Sequence, residues 1–325
     1  MDKYRHKRLF QMDVRDVDFA DRLKVSTILS RFESVASGSA DELGFGYGYL
    51  KEHGYAFFLA EVCCILSRPI TLGEGITFVT WPTPPRYAVF GREFEAYDAS
   101  SKKVLSATSR WCAVDFSSGK ILTQKAFPEQ NYLDTNIYDP TPSGVVYQKT
   151  PKIAFSDGEE CFSVRIANSE YDHNMHVNNT RYADYCLNCF SVDELKTKSV
   201  SSFSIAYVKQ CREGDFLRFV RQDVDGGALV CGFNQSGELV VRAAFSFQPF
   251  SPSENSTFVS RATQNATKTA PLDKEPRAQT PLNNEQHAQT PLDNERFNQS
   301  HAQTPPQPQD QPQSASKSYL RGDGR

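Results

Sequence analysis

The sequence predicts an α+β fold built on antiparallel sheet, and three features carry that expectation. One amphipathic helical stretch is followed by a run of β-branched and aromatic segments separated by Gly, Pro and Ser clusters. This helix-then-strands order occurs twice. Between the two copies lies a weakly periodic stretch marked by Pro128, Pro140, Pro142 and Pro151, which reads as a crossing linker.

In the first copy Val25, Ile28, Leu29, Phe32, Val35 and Ala36 recur at helical spacing, and Ser39 with Glu42 reads as a capping box for a following turn or helix. A glycine-rich stretch at 44–54 comes next, then strand-like segments at 55–66, 76–81, 88–98 and 104–116. The second copy opens with a strand-like run at 161–166. Tyr182, Tyr185, Cys186, Cys189 and Phe190 then mark one buried helix face. Strands follow at 202–208, 216–222, 228–233 and 238–247, with Asp225-Gly226-Gly227 and Gln235-Ser236-Gly237 as hairpin turns.

Setting Asp172 over Asp18 aligns helix with helix and puts Tyr182 over Ile28, which indicates a diverged internal duplication. The expected organisation is a first domain at 1–125, a linker at 126–157, a second domain at 158–250 and a disordered tail at 251–325. The tail is rich in Gln, Pro, Thr, Asn and Ser and repeats Pro-Leu at 271, 281 and 291, too polar to bury a core.

At 325 residues, with 39% hydrophobic and 12% aromatic residues, the chain has material for about two cores. No apolar segment follows the charged start, and no window nears the roughly eighteen consecutive apolar residues of a membrane span, so a cytoplasmic protein without a membrane partner is expected. The net charge of −3 shows no basic field that would suit nucleic acid. Eight cysteines sit mostly in apolar runs and are expected as packed, reduced thiols. Cys186 and Cys189 form a C-x-x-C on one apolar helix face with no second pair to complete a zinc site, so core packing is expected there.

The chemistry concentrates in residues 171–190. Asp172, Asn174 and His176 fall on a strand-to-helix turn with Asn178 or Asn179 as N-cap, where free backbone N–H groups and the positive end of the helix dipole stabilise an oxyanion. A carboxylate, an amide and an imidazole beside a helix start are the parts needed to hydrolyse an activated carbonyl. Asp172, His173 and His176 on one turn rarely converge on a single ion, so neither metal nor cofactor is expected. No Gly-x-Ser-x-Gly elbow is present, which argues against an α/β-hydrolase.

The string Asp172-x-Asn174-x-His176-Val177-Asn178-Asn179-x-x-Tyr182 resembles the acyl-acyl carrier protein thioesterases, a family of tandem hotdog domains in which antiparallel sheet wraps a central helix. Thr80-Trp81-Pro82, Arg92-Glu93-Phe94 and Ser109-Arg110-Trp111 support the likeness, which covers residues 1–250. It implies hydrolysis of a fatty acyl thioester on acyl carrier protein, releasing a free fatty acid that ends fatty acid synthesis, with Asp172, Asn174 and His176 in the active site. Because Ala20 and Arg22 stand where the second copy has Asn174 and His176, the first copy is expected to house the acyl chain, with Tyr47, Phe57, Phe58 and Phe90 as candidate lining.

The family also uses a Glu on a later strand. Here Tyr207 leads through Val208 and Lys209 to Gln210 and Cys211, so Gln210 stands in its place. An amide cannot accept a proton at neutral pH, and general-base assistance worth about 10²–10⁴-fold would fall to Asp172 or His176. Asp172 is expected as nucleophile or base, His176 as polariser or proton shuttle and Asn174 as orienting amide, with backbone N–H groups around Asn178 and Asn179 as the oxyanion site. Cys211 is expected as a structural thiol. An acyl-CoA thioesterase of the same fold and a non-catalytic acyl-thioester-binding protein are the alternatives. Chain-length preference and subunit number, a homodimer included, are left open.

Overall fold

The structure, a computed structural model, describes residues 4–126 and 137–251; the expected tail from 252 onward and linker residues 127–136 lie outside them. The first half contains β1 (His6–Gln11), α1 (Val25–Glu42), α2 (Tyr47–His53), β2 (Tyr55–Leu66), β3 (Gly75–Pro82), β4 (Phe90–Tyr97), β5 (Lys103–Asp115) and the short β6 (Ile121–Leu122). The second half contains β7 (Glu159–Arg165), α3 (Asn179–Leu187), α4 (Val192–Lys196), β8 (Lys198–Tyr207), β9 (Phe216–Val224), β10 (Gly227–Phe233) and β11 (Leu239–Pro249). None of the helices among the described residues is long and apolar enough to cross a membrane.

Every strand pairing is antiparallel. The first half runs β1-β3-β4-β5-β2 and the second runs β7-β9-β10-β11-β8, the same order twice. The halves meet where β2 pairs with β8, Glu61 to Ile65 against Ala206 to Ser202, so one eleven-stranded sheet results. The expected α+β tandem hotdog architecture is therefore the observed one.

Both central helices bury the face that their spacing marked. On α1 Val25, Ile28, Leu29, Phe32, Val35 and Ala36 are buried, and on α3 Tyr182, Ala183, Tyr185 and Cys186 are. Phe32 stacks on Phe94 at 4.2 Å and meets the edge of Phe78 at 6.1 Å. Tyr185 meets Phe219 in the same way at 5.9 Å, and one apolar core runs through both halves. Cys186 and Cys189 are buried in that core.

Alternation along the strands sends the intervening side chains to the opposite face, where the linker is fastened. The Trp81 indole donates to the Thr141 carbonyl (3.0 Å), and Ser143 donates through N–H (3.0 Å) and hydroxyl (2.6 Å) to buried Glu93. Glu61, also buried, accepts from the Thr150 N–H and hydroxyl and from the Tyr147 hydroxyl. A buried carboxylate stays charged at little cost only when its oxygens find donors. The linker supplies those of Glu61 and, with Thr108, those of Glu93.

Ser39 and Glu42 do not form the expected capping box. Both lie within the last turns of α1, because the buried face continues as far as Ser39, which accepts from Arg92 (2.9 Å). The glycine-rich stretch holds α2, closed by Gly54 in the left-handed region at φ 69°. Among the described residues β1 pairs with β3 alone, as an edge strand, so polar residues suffice along most of it and its pattern is weak.

Ahead of α1 the chain makes a turn tied by Asp18. The Asp18 carboxylate accepts from the N–H groups of Ala20 (2.8 Å) and Arg22 (3.1 Å), the Asp18 N–H donates to the Arg22 carbonyl (2.7 Å), and the Asp21 N–H donates to the Asp18 carbonyl (3.0 Å) with Asp21 at φ 59°. The Arg22 guanidinium folds back onto the carboxylate (2.7 Å) and reaches across to the carbonyls of Leu195 (2.8 Å) and Lys198. It is buried and bridges the two halves.

Removing that guanidinium strands a carboxylate and two carbonyls. Arg22→Ala is therefore expected to lower unfolding stability by about 3 kcal/mol, measured by urea denaturation. Arg22→Lys should recover only part of it, since an ammonium cannot reproduce the forked contacts.

Candidate active site

The turn ahead of α3 repeats the Asp18 turn bond for bond. The Asp172 N–H donates to the His176 carbonyl (2.8 Å) and the Met175 N–H to the Asp172 carbonyl (3.1 Å), with Met175 at φ 60°. Oδ1 of Asp172 accepts from the N–H groups of Asn174 (2.8 Å) and His176 (3.2 Å). Since Asp18 does the same in a copy that lacks the Asn and the His, this carboxylate has a folding role independent of any chemistry. Oδ2 has no donor among the described residues, so it is the atom of Asp172 that can meet a substrate or water.

The N-cap of α3 is Asn178, whose side-chain oxygen accepts from the Thr180 N–H (2.8 Å) and hydroxyl (2.7 Å). This narrows the expected oxyanion site. The Asn178 N–H is taken by the Glu170 carbonyl (2.8 Å) and the Arg181 N–H by the Asn178 carbonyl (3.0 Å). Among the described residues the Asn179 N–H is left without a partner, at the positive end of the helix dipole.

His176 sits between aromatic walls from the other half. Its ring is edge-on to Phe58 at 4.6 Å and tilted over Phe116 at 6.3 Å. Its Nδ1 is buried and has no hydrogen-bond partner among the described residues. Packing, rather than a carboxylate, holds the ring. The His173 ring meets the Tyr47 ring at 5.0 Å. Among the described residues no three His, Cys, Asp or Glu side chains are arranged to hold a metal ion.

A cavity of about 560 Å³ adjoins this corner. Asp172, Asn174, His176, Asn178 and Asn179 line it from the second half, and the expected Tyr47, Phe57, Phe58 and Phe90 line it from the first, with Ala36, Ala40, Leu43 and Trp111. Its walls are thus polar at the α3 start and largely apolar in the first half.

Gln210 is not part of this wall. It is exposed beyond the end of β8, where the N–H groups of Val208 (2.8 Å) and Lys209 (3.1 Å) both turn to the Val240 carbonyl and end the ladder. Cys211 is the buried residue of the pair, and burial pushes its thiol up from the ordinary range. That suits the structural thiol expected for it rather than a nucleophile.

The sequence reading missed Glu33. It lies on α1 and lines the same cavity, between the buried positions Phe32 and Val35. Burial, and then the negative charge of Asp172, push its carboxyl up to about 7. No described residue hydrogen-bonds or ion-pairs with it. A faint signal was present: Glu33, Ala36, Ser37 and Ala40 form a second stripe on α1 at helical spacing, small except for the acid.

The comparisons agree with this architecture. Residues 3–125 match the family described as acyl-ACP thioesterase N-terminal domain, and residues 155–248 match the acyl-ACP thioesterase C-terminal domain. A chloroplastic palmitoyl-acyl carrier protein thioesterase of Cuphea hookeriana is 22% identical over 223 residues, 64% of this chain and 52% of that protein, so the chain spans about half the length of this curated relative. Among solved structures, an acyl-ACP thioesterase from Bacteroides thetaiotaomicron superposes with a TM-score of 0.68 at 23% identity, covering 75% of this chain and 98% of that one. The 12:0-ACP thioesterase of Umbellularia californica superposes with a TM-score of 0.68 at 16% identity, covering 76% and 98%. With both of its halves matched in order by the two domain profiles, the chain belongs to the acyl-ACP thioesterase family.

Proposed function

We propose that this protein hydrolyses the thioester of a fatty acyl chain carried on the phosphopantetheine arm of acyl carrier protein, releasing the free fatty acid. The observation that carries the reading is one cavity walled by apolar side chains of the first half and, at the start of α3, by Asp172, Asn174 and His176. Residues 1–125 hold the acyl chain and residues 158–250 supply the polar groups.

The acyl chain enters the apolar part, where each methylene removed from water contributes about 0.8 kcal/mol. The carbonyl oxygen is placed at the Asn179 N–H; one preorganised donor of this kind contributes about 3 kcal/mol to an oxyanion. Asp172, through Oδ2, and the Asn174 amide hold the attacking water. His176 stabilises the developing charge, and its unpartnered Nδ1 acquires a polar neighbour when substrate or water arrives. The leaving thiol ionises at about 8.5, so it departs without a strong general acid.

The reading is tested by following free acid released from a palmitoyl thioester of acyl carrier protein and from the CoA thioester of the same chain. Release that is faster from the carrier protein supports it, and stable binding with no acid released would overturn it. Asp172→Asn keeps an oxygen for the turn and removes the charge, so turnover should fall at least ~100-fold with the melting temperature nearly unchanged. Asp172→Ala should lose as much activity and in addition about 1–2 kcal/mol of stability, because two turn N–H groups lose their acceptor.

Two further substitutions probe the rest of the site. Gln210→Glu should leave kcat within about two-fold, as expected for an exposed position away from the cavity. Ala40→Phe places a ring in the apolar wall. If it displaces about two methylenes, the rate on a long acyl chain should fall roughly ten-fold relative to a short one in a chain-length panel.

A further inference from the structure

We infer that Glu33, on the central helix of the first half, is the general base that takes the proton of the attacking water, so that the reactive set is completed across the two halves. The inference rests on the hydrolase reading above and adds to it the residue that removes the proton.

Three features of the cavity lead to Glu33. It shares the cavity wall with Asp172, Asn174 and His176. Its carboxylate has neither hydrogen bond nor ion pair among the described residues, whereas two enclosed carboxylates of the sheet have donors on both oxygens, Glu61 from the linker and Glu93 from the linker and Thr108. The remaining candidates have other roles: Asp172 ties the turn through Oδ1 and holds the water through Oδ2, His176 faces the developing charge, and Gln210 lies outside the cavity and is an amide. The ionisable groups facing Glu33 are Asp172 on the turn ahead of α3 and Tyr207 on β8. Round the same cavity stand His176, Arg92 on β4 and Asp41 at the end of α1.

In the step, the water oxygen bonds to the thioester carbon while its proton passes to the Glu33 carboxylate, and the carbonyl electron pair moves to the oxygen held by the Asn179 N–H. When that pair returns, the carbon–sulfur bond breaks with its electrons on sulfur, and the Glu33 carboxylic acid returns the proton to the thiolate. Water is consumed, and one carboxylic acid and one thiol leave. A base that ionises near the working pH combines a large deprotonated fraction with useful proton affinity. An unpartnered acid beside Asp172 has that property.

The test is hydrolysis of palmitoyl-acyl carrier protein by the full chain as wild type, Glu33→Gln and Glu33→Asp, followed across the range of about pH 5.5 to about pH 9. In the wild type kcat should rise with pH through about 7 as Glu33 loses its proton. Glu33→Gln should lower kcat by about 10²–10⁴-fold with KM nearly unchanged, and the remaining rate should lack that limb. Glu33→Asp, which keeps a carboxylate, should recover part of the loss and retain a limb.

Folding supplies an independent readout. Burial raises the folded-state value, so ionising Glu33 opposes folding, and that cost is absent at acid pH and grows as pH rises through about 7. Glu33→Gln should therefore melt higher than wild type at about pH 8 and gain less at about pH 5. A Glu33→Gln protein within about five-fold of wild-type kcat, or one that is slow but keeps the limb near 7, overturns the inference. A wild type that releases no acid from either thioester overturns the hydrolase reading, and this inference falls with it.

Discussion

The antiparallel ladder between β2 and β8 is the contact on which the rest of the molecule depends. Each half alone is an antiparallel sheet with a central helix on one face and an edge left to pair. Joining the edges from Glu61 to Ile65 with Ala206 to Ser202 makes one sheet and sets α1 beside α3. The wall of the cavity then comes from both halves, and a turn of the second half faces a helix of the first. Backbone hydrogen bonds in such a ladder are indifferent to side-chain identity, so the two halves can diverge in chemistry while the seam persists.

The two aspartate-tied turns show that divergence directly. The same backbone hydrogen bonds hold both, and each has one residue in the left-handed region at the same place. In the first half the side chain that follows is Arg22, which pairs with Asp18 and locks onto carbonyls of the other half. In the second it is His176, set between aromatic walls, with a buried nitrogen that has no partner among the described residues. One turn has become a fastening and the other an open corner.

Polar groups without partners cost free energy, and a fold retains them where they meet something else. Among the described residues the Nδ1 of His176 and the carboxylate of Glu33 are both of this kind, and both border the same cavity. The outer face of the sheet shows the contrasting arrangement, with every oxygen of Glu61 and Glu93 that the linker reaches supplied with a donor. Satisfied acids there serve cohesion.

Local spacing alone determined the helix faces of α1 and α3, most strand positions, the duplication, and the strand-to-helix turn bearing Asp172, Asn174 and His176, because each follows from residues within a few positions of one another. The strand expected at 55–66 is β2 to the residue. The edge strand β1 and the short helix α2 were not legible, since neither buries enough of one face to impose a period. Only the tertiary structure decided that Gln210 turns out to solvent and that Glu33 turns in toward Asp172. One depends on where the β8 ladder ends against Val240, the other on two helices brought together by pairing at distant strand edges, and contacts between residues so far apart in the chain leave no periodicity to read.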